Sequence, residues 1–390
     1  MRAQKPRFYY VRQSAVITDT LNKSLFWREE KICDELSDTY NVEILCSSFD
    51  HYTKKDREPL QYEKAYAVKI FPTPGYKTHT GLARIFDALA FAVKASAYLV
   101  LDTSRGDTVV FAIPTPAPIL ISRILRIKGV TVVYDLRDAW PDAIIDTKSI
   151  LYPMFYFYMK VVFLIAGVKN SFCLSMSDTL AKHYSDKFGL HLAKLKTLIF
   201  RRGIYHPDSA DSESRLYPVR DRRLRERKYI FFAGSIVDQF DWDIFFDFVI
   251  TVPNEYDVVV AGDGPLLNML IKRGKDVQNL RFLGRISPEE VRLLSIQSFF
   301  NFCFYAGEEF KGHITNKVLE YAESIRPMVH NLGTFFVNGI QIKLGVEVNR
   351  KVEFCKVKLK IDETKWDVER EAFFHVCSNA SIQDILNDTV

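Results

Sequence analysis

Between positions 201 and 228 the chain passes through a polar segment crowded with arginine and poor in apolar side chains. Alternating strand and helix patterns run up to that segment and begin again after it. Such an interruption does not fit inside one sheet, so it reads as the connection between two α/β domains. Before it lie strand patterns at 8–12, 42–46, 108–113 and 131–135, with helix patterns at 25–36 and 179–188 and an apolar stretch at 196–200. After it come strand patterns at 229–232, 256–260, 280–282 and 299–304, with helix patterns at 244–250 and 288–295. Strands alternating with helices are the grammar of doubly wound parallel sheets. A length of 390 residues also exceeds what one ordinary core supports. The expected architecture is two consecutive open α/β sheets, with ligands at the carboxyl ends of the strands in the crevice between the domains.

Composition narrows the class without naming a chemistry. Hydrophobic residues make up 48% and charged residues 26%, which describes a globular chain rather than a disordered or fibrous one. The six cysteines, at 33, 46, 173, 303, 355 and 377, are widely spaced with no Cys-x-x-Cys pair, so neither a zinc site nor a disulfide framework is indicated. Reduced thiols and a cytoplasmic location are expected. The basic N-terminus runs straight into an aromatic strand pattern and reads as carrying no signal peptide.

Residues 1–200 hold 27 basic and 20 acidic side chains, and the remainder 26 and 28, so the positive excess lies in the first half. That asymmetry fits an anionic membrane surface or a phosphate-bearing substrate, or simply a solvated face. No nucleic-acid module accompanies it. The most apolar stretch, 150–168, is long enough to span a bilayer, but Lys160 at its centre and Pro153 near its start favour a buried helix or one lying in the headgroup layer.

The stretch Lys311-Gly312-His313-Ile314-Thr315-Asn316-Lys317-Val318-Leu319-Glu320-Tyr321 is a polar, glycine-containing loop turning into a helix. Thr315 has the chemistry of an N-cap. The free N–H groups of the first turn, with Asn316 and Lys317 on it, then present positive potential to an anion such as a diphosphate. Glu320 lies one turn deeper on roughly the same face, where a carboxylate can accept from vicinal ribose hydroxyls. The plainer reading is a capped surface helix with an i,i+3 pair between Lys317 and Glu320.

Upstream stand Val260-Ala261-Gly262-Asp263-Gly264-Pro265 and Arg281-Phe282-Leu283-Gly284-Arg285-Ile286-Ser287-Pro288. A strand ending in Gly-Asp-Gly-Pro makes a tight turn at a sheet's carboxyl edge, and the turn at Gly284-Arg285 exposes backbone to a nucleobase edge. In this order and spacing the three segments resemble the donor half of glycosyltransferase family 4, the retaining GT-B enzymes. In the first half, Tyr134-Asp135-Leu136-Arg137-Asp138-Ala139-Trp140-Pro141 resembles that family's Arg-Asp-x-Trp-Pro segment. Ser175 and Ser177 resemble its interdomain serines, and 201–204 stands where the family has an Asn-Gly turn. The likeness covers roughly residues 7 to 330. It implies a GT-B fold with an acceptor-binding Rossmann-like domain over 1–200, a connection over 201–228, and a donor-binding domain over 229–370. A terminal helix over 371–390, centred on 371–385, would cross back to the first domain.

The departures are specific. Gly312 occupies the place of the family's first glutamate, as in a subset with Asn-Lys before the Glu-Tyr pair. The segment 233–238, holding Gly234 and Ser235, lacks the basic pair that usually meets the diphosphate. Lys317 is the leading substitute, ahead of Arg285, Lys311 and Arg326. The loop 13–24, after the first strand, has no glycine. Asp241 and Asp243 match an Asp-x-Asp metal motif in form, but they open a helix, where aspartates are expected as caps.

The resemblance thus implies a metal-independent transferase that moves a sugar from a nucleotide diphosphate, UDP first, to an acceptor hydroxyl with retention. The acceptor class is a polyprenyl-linked oligosaccharide of bacterial surface polysaccharide synthesis, reached at the inner face of the plasma membrane, with no cofactor and no nucleic acid. Lys317 and Glu320 would serve the donor, together with Gly234, Ser235, Gly262, Asp263, Gly264, Arg285, Ile286, Gly312, His313, Thr315 and Asn316; Asp138 would face the acceptor. A nucleotide-sugar epimerase and a non-catalytic partner subunit on the same fold are the alternatives.

Overall fold

The computed structural model describes residues 5–17, 27–51, 54–57, 64–77, 82–113, 118–142, 145, 149–200, 227–348, 353–378 and 381–387. The connection expected at 201–228 lies outside the described residues except for its last two positions, and so does most of the loop at 13–24. The chain forms two compact units, residues 1–200 with 378–390, and 201–377.

The first unit is built on β1 (Arg7–Val11), β2 (Asn41–Ser47), β5 (Ala67–Phe71), β6 (Thr108–Ile113), β7 (Thr131–Leu136), β8 (Cys173–Ser175) and β9 (Leu195–Thr197). A short antiparallel pair, β3 (Phe49–Asp50) with β4 (Lys55–Asp56), stands apart. The seven strands pair in parallel in the order β5-β2-β1-β6-β7-β8-β9. After their first residues, Arg7 and Thr108, β1 and β6 are apolar and buried throughout because helices cover both faces of a parallel sheet. The helices are α1 (Arg28–Leu36), α2 (Leu82–Asp102), α3 (Ser122–Ile127), α4 (Tyr152–Ala166) and α5 (Asp178–Phe188).

The second unit repeats the plan with β10 (Lys228–Ala233), β11 (Tyr256–Ala261), β12 (Leu280–Gly284), β13 (Phe300–Cys303), β14 (Met328–His330) and β17 (Val346–Glu347). Their order is β12-β11-β10-β13-β14-β17, again all parallel. A hairpin of β15 (Phe335–Val337) and β16 (Ile340–Ile342) interrupts the last crossover. Helices α6 (Trp242–Val249), α7 (Leu267–Arg273), α8 (Pro288–Gln297), α9 (Asn316–Glu323), α10 (Phe354–Lys360) and α11 (Glu363–Ser378) complete it. In both sheets the winding reverses beside the first strand, at β1/β6 and at β10/β13. Open α/β sheets bind their ligands outside the carboxyl ends of the strands at such a reversal.

Two elements differ from the sequence expectation. In place of one helix over 371–385 there are two, α11 and α12 (Ile382–Asn387), with Ser381 outside both. Ile382, Ile385 and Leu386 of α12 are buried in the first unit's core with Ile32, Leu36 and Ile44. The apolar stretch at 150–168 forms α4, which is buried only along Met159, Val162, Phe163 and Ala166; its other face is exposed.

His330, at the end of β14, is 2% exposed. Its Nδ1 accepts from the Leu332 N–H at 3.1 Å, so the proton sits on Nε2, which donates to the Leu344 carbonyl at 2.7 Å. Burial holds the ring's pKa down at about 4, below the ordinary 6.5. An unfolded chain therefore takes up this proton first, and stability is lost as pH falls from 6.5 through 4. The loss amounts to about 3 kcal/mol at most. Urea unfolding at stepped pH should show this limb, and His330→Asn should flatten it while lowering stability at neutral pH.

Candidate nucleotide-sugar site

The loops that leave β10, β11 and β12 are laced together at the carboxyl edge of the second sheet. The Gly234 N–H donates to Ala261 O at 2.9 Å, Ile236 N–H to Asp263 O at 2.9 Å, and Gly262 N–H to Gly284 O at 2.7 Å. Lacing this close leaves no room for a Cβ. One placed on Gly262 (φ +141°) would lie 1.8 Å from Gly234 O, and one on Gly264 (φ +159°) 2.3 Å from Ile236 O. The glycines are thus fixed by backbone contact, and backbone polar groups line the rim.

Helix α9 is fastened over the same edge. The fully buried Tyr321 hydroxyl accepts from the Ala233 N–H at 3.1 Å, at the last residue of β10. At the helix start, the Thr315 hydroxyl caps the Val318 N–H and accepts from Tyr305 Oη at 2.8 Å. Asn331 in turn clamps the Tyr305 backbone, with both of its amide bonds at 2.8 Å. The helix N-terminus, with its positive dipole end, is thereby held beside the loop after β10. The Lys317 stem crosses that loop: a Cβ on Gly234 would meet Lys317 Cε at 3.0 Å. Gly234 therefore leaves space for the one cation of the helix's first turn. The Lys317 ammonium pairs with the Glu320 carboxylate, and both side chains are more than four-fifths buried. An arriving phosphate must take Lys317 from Glu320, and a ribose diol would give Glu320 a new partner.

The other positions singled out from the sequence fall as follows. Ser235, Asp263, Arg285 and Asn316 are exposed, and Ile286 packs on the Tyr229, Phe231 and Val259 cluster. Gly312 is buried at φ +72° and donates to Leu332 O at 2.6 Å. His313 is half-buried, its N–H bonded to Phe310 O. Lys311 Nζ is 2.6 Å from Asn331 O, and Arg326, beyond the far end of α9, holds Ile296 O and Glu363. Asp241 caps the Ile244 N–H and Asp243 pairs with Arg273 at 2.6 Å, so each aspartate of that pair has a structural partner. Sequence reasoning gave no role to Tyr305 and Asn331 and named Tyr321 only as part of the Glu-Tyr pair; the long-range pairing gives them a task.

At the carboxyl edge of the first sheet, Asp138 follows β7. Its carbonyl accepts from Tyr184 Oη at 2.8 Å and from the Trp140 N–H at 2.9 Å. The side chain is exposed. Desolvation by the surrounding protein pushes its carboxyl above the ordinary value, with Arg137 and Arg12 opposing the shift and Asp135 adding to it. Behind it stands a buried charge network. Glu29, fully buried, accepts from Arg12, from the Val16 N–H at 3.0 Å and from Arg137 at 2.6 Å. Burial alone would raise the Glu29 carboxyl; the two guanidiniums and the amide outweigh it and hold it at about 2. Arg28 forks onto Asp135 at 2.8–3.0 Å, and Tyr10 Oη reaches the same carboxylate. These partners lie on three segments far apart in sequence, 10–16, 28–29 and 135–137, which is why no local pattern revealed them.

No family model and no curated protein matches this chain. Solved structures do. The chain is similar to HepE of Anabaena in complex with UDP-glucose, with a TM-score of 0.63 and 14% identity over 98% of each chain. It is also similar to α,α-trehalose 6-phosphate synthase of Burkholderia multivorans, with a TM-score of 0.67 and 10% identity over 99% of this chain and 97% of that one. WaaG, a glycosyltransferase involved in lipopolysaccharide biosynthesis, follows with a TM-score of 0.54 and 12% identity over 83% and 80%. At such identities the likeness defines the fold: two Rossmann-like, parallel-sheet units of the GT-B class.

Proposed function

We propose that this protein is a glycosyltransferase that moves a sugar from a nucleotide diphosphate donor to an acceptor hydroxyl, with retention at the anomeric carbon. The observation that carries the reading is the placement of the α9 N-terminus and Lys317 against the glycine-laced loops at the reversal point of the second sheet. Helix-terminal amides and the Lys317 ammonium receive the diphosphate, and their value rises as charge develops on the departing oxygen. Glu320 takes the ribose hydroxyls, and the exposed turn at Gly284-Arg285-Ile286 reads the base. The acceptor oxygen bonds to the anomeric carbon as the bond to the diphosphate breaks, and the acceptor proton passes to the departing phosphate oxygen. Asp138 orients that hydroxyl rather than deprotonating it. Two structures similar to this one hold UDP-glucose, and UDP with glucose, which favours a uridine donor. The acceptor proposed is a polyprenyl-linked oligosaccharide of surface polysaccharide synthesis, used from the cytoplasmic side.

A thermal-shift screen against UDP-, GDP-, ADP- and CMP-sugars tests the donor. A sugar nucleotide at about 100 times its Kd stabilises the protein by about 2.7 kcal/mol. For domains of this size that is a rise of roughly 5–10 °C. Flat melting curves with all four would sink the reading. Release of an altered sugar nucleotide without acceptor would assign an epimerase instead, and binding without turnover on any lipid-linked acceptor a partner subunit.

A further inference from the structure

We propose that the cavity at the amino edge of the first sheet is a second carbohydrate-binding site, taking an uncharged sugar unit at the opposite end of the strands from Asp138. The cavity measures about 480 Å³, within the range of small-molecule pockets. Strand register builds its wall. Arg7 pairs with Asn41, Tyr9 with Glu43, and Glu43 with Ala67, so these side chains of β1, β2 and β5 share one face of the sheet. Helix α2 runs back along that face and brings Tyr98 and Asp102, one turn apart, onto it. Arg7 pairs with Asp102 at 2.6 Å, Tyr9 Oη donates to Asp102 at 2.7 Å, and Tyr98 Oη donates to Glu43 at 2.8 Å. Tyr40 and Tyr66, each just ahead of a strand, line the rim. The seven residues of β2 separate this edge from the loops at the carboxyl edge by roughly 20 Å.

The polar groups of this wall are not all spent on one another. Glu43, half-buried, holds one hydrogen bond among the described residues, from Tyr98, where a carboxylate has room for about four. Burial pushes its carboxyl above the ordinary value although Tyr98 and Lys69 pull it down, so the charged form is short of donors. The hydroxyl of the half-buried Tyr40 has no hydrogen-bond partner among the described residues. Side chains that only closed the end of the sheet would cover and pair one another; here an acceptor and a hydroxyl stand open on a concave surface beside aromatic rings. The charges select the ligand. Arg7 and Lys69, the latter over the Tyr98 ring at 5.2 Å, balance Asp102 and Glu43, so the cavity favours neither a phosphate nor an isolated cation. A pyranose matches what remains: its hydroxyls donate and accept side by side, and its C–H face packs on the electron-rich face of a tyrosine. The inference does not rest on the donor or acceptor assignments, because the cavity shares no residue with them.

The test is saturation-transfer NMR on the full chain with the methyl glycosides of glucose, galactose and N-acetylglucosamine. At least one glycoside should bind, and Glu43→Ala should weaken it by about tenfold, the worth of a hydrogen bond to a carboxylate. Tyr40→Ala should act in the same direction, while Asp138→Ala and Lys317→Ala leave this binding at the wild-type level. Glu43→Ala removes a carboxylate that burial disfavours, so its melting temperature should match the parent's. On the wild-type protein, where the folding of a variant plays no part, saturating glycoside should slow nitration of Tyr40 and Tyr98 by tetranitromethane, read by mass spectrometry of their peptides. Absence of binding by all three glycosides overturns the proposal, as does unchanged nitration of both tyrosines. So does binding that Asp138→Ala abolishes and Glu43→Ala leaves intact, which would move the sugar to the carboxyl edge. Protection of the tyrosines by inorganic phosphate or tetramethylammonium in place of the glycosides would give the cavity to an ion and overturn it too. A failed nucleotide-sugar screen leaves these results standing, so the two readings fail separately.

Discussion

Replacing Lys317 with alanine will lower transfer kcat/KM by about 100- to 1,000-fold while leaving the fold intact. The magnitude is that of removing one preorganised group from a developing anion in a site partly shielded from water. The loss should be larger than for an ordinary surface lysine because the substitution also frees Glu320, which then presents an uncompensated carboxylate to the incoming diphosphate. That second effect can be separated. In Lys317→Ala/Glu320→Gln the repulsion is gone, so part of the loss of donor affinity should return although the cation is still missing. Glu320→Ala alone should weaken donor binding through the ribose yet strengthen inorganic pyrophosphate, because Lys317 no longer has an internal partner. Steady-state kinetics with calorimetric binding of the donor and of pyrophosphate reads all three. Turnover of Lys317→Ala within about threefold of wild type would remove the donor assignment.

How the Lys317 side chain is held explains which parts of the site were legible in the sequence. The N-cap at Thr315 and the i,i+3 relation of Lys317 to Glu320 are local, and helical geometry alone places them. The glycines at 262 and 264 were readable as a turn. Their reason was not, because it lies in a carbonyl of Gly234, on the neighbouring strand's loop, that approaches to within a bond's reach of a missing Cβ. Tyr321 reads only as part of the Glu-Tyr pair until its hydroxyl is seen on the Ala233 amide, 88 positions away. The same divide runs through the fold. Strand-helix alternation gave both sheets, since burial on two faces writes continuous apolar runs into strands such as Thr108–Ile113. The terminal segment, expected as one helix from the resemblance alone, is two, and the second, beyond Ser381, is buried in the first unit's core.

Glu29→Gln will destabilise the first unit by about 3–5 kcal/mol, because it leaves the guanidiniums of Arg12 and Arg137 without their shared carboxylate. Glutamine matches the shape but turns an amide N–H toward one of the two cations. The effect carries its own pH signature. The native Glu29 pKa of about 2 lies below the ordinary 4.5, so the unfolded chain binds this proton first. The stabilisation is complete above 4.5 and lost as pH falls through 2. The gap between wild type and variant in urea unfolding should therefore narrow as pH drops below 4.5; a gap under about 1 kcal/mol at neutral pH would show that the network is not load-sharing. Arg137 connects this stability to chemistry. It is the residue before Asp138 and is fixed by Glu29 at 2.6 Å, so the network sets the backbone from which Asp138 projects. If Asp138 orients the acceptor, Glu29→Gln should raise the acceptor KM while nucleotide binding at the second unit stays at the wild-type level. A variant that lost both in parallel would be failing through unfolding, and a variant that lost neither would confine the network to holding β1, α1 and β7 together.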